Sequence, residues 1–249
     1  MKAIILCAGY GKRMRPYTDI YQKTMLPIHG KPLLEYITDG LISSGFNEFI
    51  FVVGYKKEQI LTYFQDGEKW GINIEYVEQK ELNGTGGALL LCEQFIDESH
   101  FFLTWGDTLV SYKIYKDVYK IFLNENHNFI MVINYSKDPY LGAAVICNDL
   151  YCKDIIEKPP KDSGYNYNNC GVFIFSKEIF NILKILKPSS RGEIELTEAI
   201  RFGINKRNWK VRVLKMEKDQ FRGDFGSIEI YRQLKKDTSW LKELKSSGL

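Results

Sequence analysis

The segment Ala8-Gly9-Tyr10-Gly11-Lys12-Arg13-Met14-Arg15-Pro16 follows a short apolar run near the start of the 249-residue chain. Its glycines let backbone N–H groups come close to an anion, and successive N–H groups in such a turn form a concave anion site. Lys12, Arg13 and Arg15 add positive charge beside it. The chemistry this suits is phosphate binding; a tight turn with solvated basic side chains is the other reading. A dinucleotide fingerprint is excluded, because Met14 stands where a third small residue is needed and Pro16 bars a long helix from starting there. A P-loop is excluded too, since no Gly-Lys-Ser or Gly-Lys-Thr follows. The second candidate is Asp107, which follows an apolar run and Gly106. It sits at the carboxyl end of an expected strand, where open α/β sheets take their ligands. A carboxylate there suits Mg²⁺, which prefers oxygen donors and arrives with substrate phosphates. Alone, Asp107 could equally cap the turn that follows it.

The elements that must position these groups alternate through the first half. Apolar runs at 3–6, 49–53, 72–77, 101–104 and 129–134 read as strands, and the first is continuous, as for a strand buried on both faces. Segments 32–44, 56–64, 85–95 and 113–123 carry apolar residues at helical spacing. This alternation predicts an α/β fold with a mainly parallel, Rossmann-like sheet flanked by helices. After about residue 135 the pattern shifts to short strands at 143–146, 154–156 and 171–175, so a smaller, mixed α/β lobe is expected there. Helices at 179–186 and 194–202, a strand at 211–214 and a last amphipathic helix at 228–244 complete the reading, with Ser246-Ser247-Gly248 fraying the end. The chain is read as one domain over 1–249, divided into lobes 1–135 and 136–226 and a C-terminal helix 227–249.

Composition bounds the function classes. Lys and Arg number 34 against 31 Asp and Glu, a formal charge of +3 with both signs interspersed, so a nucleic-acid partner is not expected. Lys206-Arg207 and Lys235-Lys236 read as solvated faces. The mean hydropathy of −0.26 argues against an integral membrane protein. The N-terminal apolar run is too short for a signal peptide, and five cysteines without a second close pair or a His cluster make no zinc site. Reduced thiols and a cytoplasmic location are expected.

The longer run Leu6 to Thr18, followed by Gln22-Lys23-Thr24-Met25-Leu26-Pro27-Ile28 and Gly30-Lys31-Pro32-Leu33, resembles the signature of the sugar-1-phosphate nucleotidylyltransferases. Further matches keep that family's order across nearly the whole chain: Gly84-Thr85-Gly86-Gly87-Ala88, Gly106-Asp107, Glu157-Lys158-Pro159, Asn169-Cys170-Gly171, Gly192 to Thr197, and Gly223-Asp224-Phe225-Gly226-Ser227. The resemblance implies the nucleotide-diphospho-sugar transferase type of fold, with lobe 1–135 binding nucleotide and lobe 136–226 binding sugar phosphate. It implies Arg13, Lys23 and Asp107 as catalytic residues. Leu6, Ala8, Gly9, Gly11, Lys12, Arg13, Gln79, Gly84 and Thr85 would bind the nucleotide. Gly142, Glu157, Lys158 and Asn169 would bind the sugar phosphate, with Glu193 or Glu195 as further contributors. Asp107 and Asp224 would hold Mg²⁺, for which Mn²⁺ can substitute.

The implied reaction is attack of a sugar 1-phosphate oxygen on the α-phosphorus of a nucleoside triphosphate, with pyrophosphate leaving. Residue chemistry agrees: such transfers need positioning and charge neutralisation, which an Arg fork and a Lys point charge supply. Glucose 1-phosphate with UTP or dTTP is the leading substrate pair. Guanylyl transfer to mannose or heptose 1-phosphate, cytidylyl transfer to glucose 1-phosphate, and a regulatory subunit sensing NDP-sugar are the alternatives. Three departures stand out: Lys12 where Thr is common, Gln22 in place of the usual proline before the lysine, and Asp224-Phe225-Gly226-Ser227 in place of a final Thr. The loop around Lys23 is expected to be less rigid for want of that proline. The match is to short members without a C-terminal β-helix, so no acyltransferase activity is expected, and a homo-oligomer is permitted. If Asp107 and Asp224 face each other, Asp107→Asn is expected to leave stability unchanged or raise it, by relieving repulsion.

Overall fold

The computed structural model describes residues 1–245; Ser246-Ser247-Gly248 lies outside the described residues. The described residues form two compact units, each assembled from separated stretches: Met1–Lys80, Thr104–Asp117 and residues 219–245 in the first, Glu81–Leu103 and Val118–Lys218 in the second. No helix among the described residues is long and apolar enough to cross a membrane.

In the first unit Glu48–Val53 lies between Ala3–Leu6 and Asn73–Glu78 and pairs with both in parallel. The helices Leu33–Ile42 and Lys57–Phe64 make the crossovers. Ala3, Ile4, Ile5 and residues 49 to 52 are buried outright, because helices cover the sheet and leave no polar face along these strands. Asn73–Glu78, at the edge, is only half-buried and carries Asn73, Glu75 and Glu78. A two-stranded antiparallel ribbon joins distant stretches of this unit: Thr108–Val110 pairs with Arg222–Asp224, Thr108 facing Asp224 and Val110 facing Arg222. Neither strand was expected from the sequence; three residues are too few to show a period.

The second unit is a mixed sheet, mostly antiparallel. Phe129–Tyr135 pairs in parallel with Val211–Lys215 and antiparallel with Tyr167–Ser176. Tyr151–Glu157 pairs antiparallel with both Val211–Lys215 and Ala143–Cys147. Ala144 in turn meets Asn168, so these five strands close into a ring at one end. The expected α/β class with a mixed sheet and flanking helices is the one observed. Helices Glu178–Leu183 and Leu196–Arg207 are placed close to expectation. The last helix is two, Ile228–Lys236 and Trp240–Lys245. Asp237 breaks it: its carboxylate accepts from the Ser239 N–H at 2.8 Å and the Ser239 hydroxyl at 2.6 Å, a local turn that competes with helix. All five cysteines are free thiols, and only Cys147 is not buried.

Candidate active site

The glycine-rich turn leaves the strand Ala3–Leu6 at the sheet's carboxyl edge. Gly11 has φ +62°, and a Cβ there would lie 2.9 Å from Thr18 Cγ2 and 3.0 Å from Lys23 Cβ, so both conformation and space demand glycine. Its carbonyl accepts from the Met14 N–H at 2.8 Å and the Thr18 hydroxyl at 3.0 Å, closing the short 3₁₀ turn Lys12–Met14. Met14 is buried and anchors that turn, while Lys12 and Arg13 project outward. Around Gly9 there is open space where a side chain would stand. A cavity of about 240 Å³ is lined by Gly11, Lys12, Arg13, Met14 and Lys23.

Lys23, which lines this cavity, pairs with Asp107. The Lys23 Nζ lies 2.5 Å from Asp107 Oδ2, with Lys23 only 9% exposed. Burial by itself would raise the Asp107 carboxyl, but the charge and hydrogen bond of Lys23, with Arg13 behind them, hold it below the usual carboxylate range. The ribbon brings Asp224 to the same place: Thr108, next to Asp107, faces Asp224, and the Phe225 N–H donates to the Asp107 carbonyl at 2.9 Å. Asp224 Oδ1 accepts from the Gly226 N–H at 2.8 Å, and Arg13 Nη2 lies 3.0 Å from where a Gly226 Cβ would stand. Arg13 and Asp224 thus flank a glycine that leaves room for both. Four residues from three separated stretches of sequence, Arg13 and Lys23, Asp107, and Asp224, are brought together in the first unit.

These side chains suit a hard divalent cation. Asp107 and Asp224 offer oxygen donors on side chains 32% and 42% exposed. Among the described residues no third His, Cys, Asp or Glu joins them. A site of two carboxylates fits Mg²⁺, which keeps waters and borrows phosphate oxygens for its remaining positions. Of the other nucleotide candidates in this unit, Leu6 accepts from the Gly106 N–H at 2.9 Å, Ala8 from the Tyr55 N–H at 3.0 Å, and Gln79 is buried with its N–H donating to Val53.

In the second unit strand register gathers the sugar-side candidates at one end of the sheet. Glu157 faces Ala143, Asn168 faces Ala144, and the Lys158 N–H donates to the Gly142 carbonyl at 3.0 Å. Lys158 holds φ +44°, uncommon for a residue with a side chain. Asn169 is 4% exposed; its Oδ1 accepts from the Gly171 N–H at 2.6 Å, while its Nδ2 is buried without a partner. A cavity of about 470 Å³ is lined by Glu157, Lys158, Ser189, Arg191, Glu193 and Glu195 among others. Gly142 and Asn169 do not line it. Arg191, missed in the sequence, bridges Glu195 at 2.6 Å, Glu157 at 3.4 Å and Glu193 at 3.6 Å. Burial and Glu195 together push the Glu193 carboxyl above its usual range despite Arg191. The four-residue spacing from Arg191 to Glu195 was the available signal. Gly84 and Thr85 contact this same segment: a Cβ on Gly84 would meet the Ile194 carbonyl at 2.6 Å, and the Thr85 hydroxyl accepts from the Leu196 N–H.

The nucleotidyl transferase family model matches residues 2–239. The chain belongs to that family. The bifunctional protein GlmU of Methanococcus maripaludis is 37% identical over 202 residues, which are 81% of this chain and 46% of GlmU. The chain spans about half the length of the GlmU relatives it matches. The UTP–glucose-1-phosphate uridylyltransferase AglF of Haloferax volcanii is 34% identical over 203 residues, 80% of this chain and 82% of AglF. A solved structure of a UDP-glucose pyrophosphorylase complexed with UDP-glucose superimposes with a TM-score of 0.84 at 25% identity, covering 97% of this chain and 98% of the other.

Proposed function

We propose that this chain transfers a nucleotidyl group from a nucleoside triphosphate to a sugar 1-phosphate, releasing pyrophosphate, with glucose 1-phosphate and UTP or dTTP as the preferred pair. The observation that carries this reading is the convergence of Arg13, Lys23, Asp107 and Asp224 on one side of the glycine-rich turn. In the reaction a phosphate oxygen of the sugar 1-phosphate forms a bond to the α-phosphorus, and the bond from that phosphorus to the β-phosphate bridging oxygen breaks. The turn and Lys12 bind the triphosphate, and Arg13 meets the charge that spreads over the α-phosphoryl oxygens. Lys23, held against Asp107, presents a fixed positive charge beside the same group. Asp107 and Asp224 would hold Mg²⁺, or Mn²⁺ in its place, which supplies further charge neutralisation when bound.

On the acceptor side, the buried and unpartnered Asn169 Nδ2 is a donor suited to a sugar hydroxyl, and the carboxylates of Glu157 and Glu193 are acceptors for others. Lys158 is assigned the sugar phosphate; it lines the same cavity as Glu157 and Glu193, and its positive charge acts on Glu193. The uracil preference is supported by AglF and by the UDP-glucose complex, both similar to this chain. The test is pyrophosphate release across a matrix of UTP, dTTP, GTP, CTP and ATP against glucose, mannose and heptose 1-phosphates, with Mg²⁺ present. Turnover with UTP or dTTP and glucose 1-phosphate is expected. Turnover only with GTP or CTP would replace the substrate pair, and binding without turnover would support the regulatory reading instead.

A further inference from the structure

Gln22 stands where the family resemblance leads one to expect proline, immediately before Lys23, and its side-chain amide makes three hydrogen bonds. It is 1% exposed. Its Nε2 donates to the Cys7 carbonyl at 2.5 Å, and its Oε1 accepts from both the Thr24 N–H at 2.5 Å and the Thr24 hydroxyl at 2.7 Å. Its own N–H donates to Gln59 Oε1 at 2.7 Å, and Gln59 returns a bond to the Ile20 carbonyl at 2.9 Å. The amide therefore caps the 3₁₀ turn Lys23–Met25 and ties it to the residue that leads into Ala8-Gly9. Asp107 is tied to the neighbouring residue of the same strand end, because the Gly106 N–H donates to the Leu6 carbonyl at 2.9 Å. Thr24 Cγ2 also lies 3.0 Å from where a Gly106 Cβ would stand. Both partners of the Lys23–Asp107 pair are thus referenced to Leu6-Cys7, and Gln22 is the link on the lysine side.

The backbone supports the same conclusion. Gln22 has φ −62° and ψ 140°, and Tyr21 before it has φ −102° and ψ 145°. The first φ is the value a proline ring imposes, and Tyr21 occupies the region allowed to a residue preceding proline. Side-chain hydrogen bonds accomplish here what a ring would accomplish by covalent restraint. We infer that Gln22 is a positioning residue for the reaction proposed above: it fixes the Lys23 turn against the nucleotide loop and so sets the place of the Lys23 ammonium. This rests on that functional reading for its kinetic consequence, but not for its structural one.

Two variants and two readouts test it. Gln22→Ala removes the link and frees the Lys23 turn, whereas Gln22→Pro imposes the same backbone angle covalently while giving up both the side-chain amide and the N–H bond to Gln59. Turnover of Gln22→Ala is expected to fall by about 10-fold or more, with KM for the sugar phosphate within about 2-fold of wild type, because misplacing a charge near the reacting group costs rate more than binding. Gln22→Pro is expected to recover most of that loss. The second readout needs no turnover: competitive acetylation of the folded proteins, read lysine by lysine by mass spectrometry. Lys23 should be shielded in wild type and in Gln22→Pro, and selectively exposed in Gln22→Ala. Wild-type turnover together with wild-type Lys23 labelling in a folded Gln22→Ala would overturn the inference. Should Gln22→Ala not fold, Gln22→Glu takes its place: it keeps acceptors for Thr24 but loses the donor to the Cys7 carbonyl, and wild-type turnover with wild-type Lys23 labelling in it would overturn the inference. If wild type turns over no substrate pair, the proposed function fails while the labelling still judges Gln22.

Discussion

Asp107→Asn separates electrostatics from shape, since the amide has nearly the carboxylate's size and the residue lies at a strand end. Two facing carboxylates would repel, and from that alone the substitution should be harmless to the fold. The Lys23 ion pair reverses the sign. With Asn at 107, an ammonium only 9% exposed loses its charged partner while Arg13 and Lys12 remain nearby. A hydrogen bond between charged groups contributes about 1.5–3 kcal/mol net. For a chain of this size that corresponds to a fall in Tm of roughly 3–12 °C. The pH dependence follows from the direction of the carboxyl's shift. Its folded-state pKa is depressed, so the stabilisation is fully present above the ordinary aspartate range, near pH ~4, and is lost as pH falls through the lower folded value. The Tm gap between wild type and variant should therefore hold from neutral pH down to about 4 and close below it. Thermal unfolding followed by circular dichroism at several pH values measures this directly. Turnover should drop on the order of 10²–10³-fold even with saturating Mg²⁺, because charge neutralisation is the main device of such a site. A variant as stable as wild type at pH 7, or one with full activity, would refute the reasoning.

The remaining predictions address the other assigned groups. Lys158→Ala should raise KM for the sugar phosphate by about 10-fold or more while moving KM for the nucleotide little, whereas Lys23→Ala should lower turnover and leave sugar-phosphate affinity nearly intact; steady-state kinetics on the two variants checks the division. In the native protein Cys92 and Cys152, whose thiols burial pushes up to about 12, should not react with a thiol reagent at pH 8. Only Cys147, which is half-buried and whose thiol burial also pushes up, should react slowly in the native protein, and the others should appear on denaturation.

The expectation of a looser loop around Lys23 came from the missing proline alone. It did not allow for a side chain that reaches Cys7 and Thr24, because hydrogen bonds across fifteen residues have no signature in spacing. Arg191 is legible in the sequence only through its four-residue spacing to Glu195, which says nothing of its other partners. Its three carboxylate partners include Glu157, which the packing of the helix Leu196–Arg207 against the strand Tyr151–Glu157 brings near the 189–195 segment.

What the residues determined by themselves was local and periodic. Continuous apolar runs specified buried strands, and helical spacing specified the crossovers. Clustered glycines marked the tight turns at Gly11 and Gly84, where the structure shows positive φ, because backbone sterics act within a few residues. The conjunction of ordered motifs then singled out the polar residues proposed for the site. What only the tertiary structure decided was which charges face which. Asp107 and Asp224 are 117 residues apart, and the three-residue ribbon that joins their neighbours is too short to carry a pattern. Lys23 was legible as a candidate, yet its partner, its burial and the sign of its effect on stability are set by the packing of three separated stretches of chain. Electrostatic energy depends on distance and exposure in space, and neither is written in the order of residues.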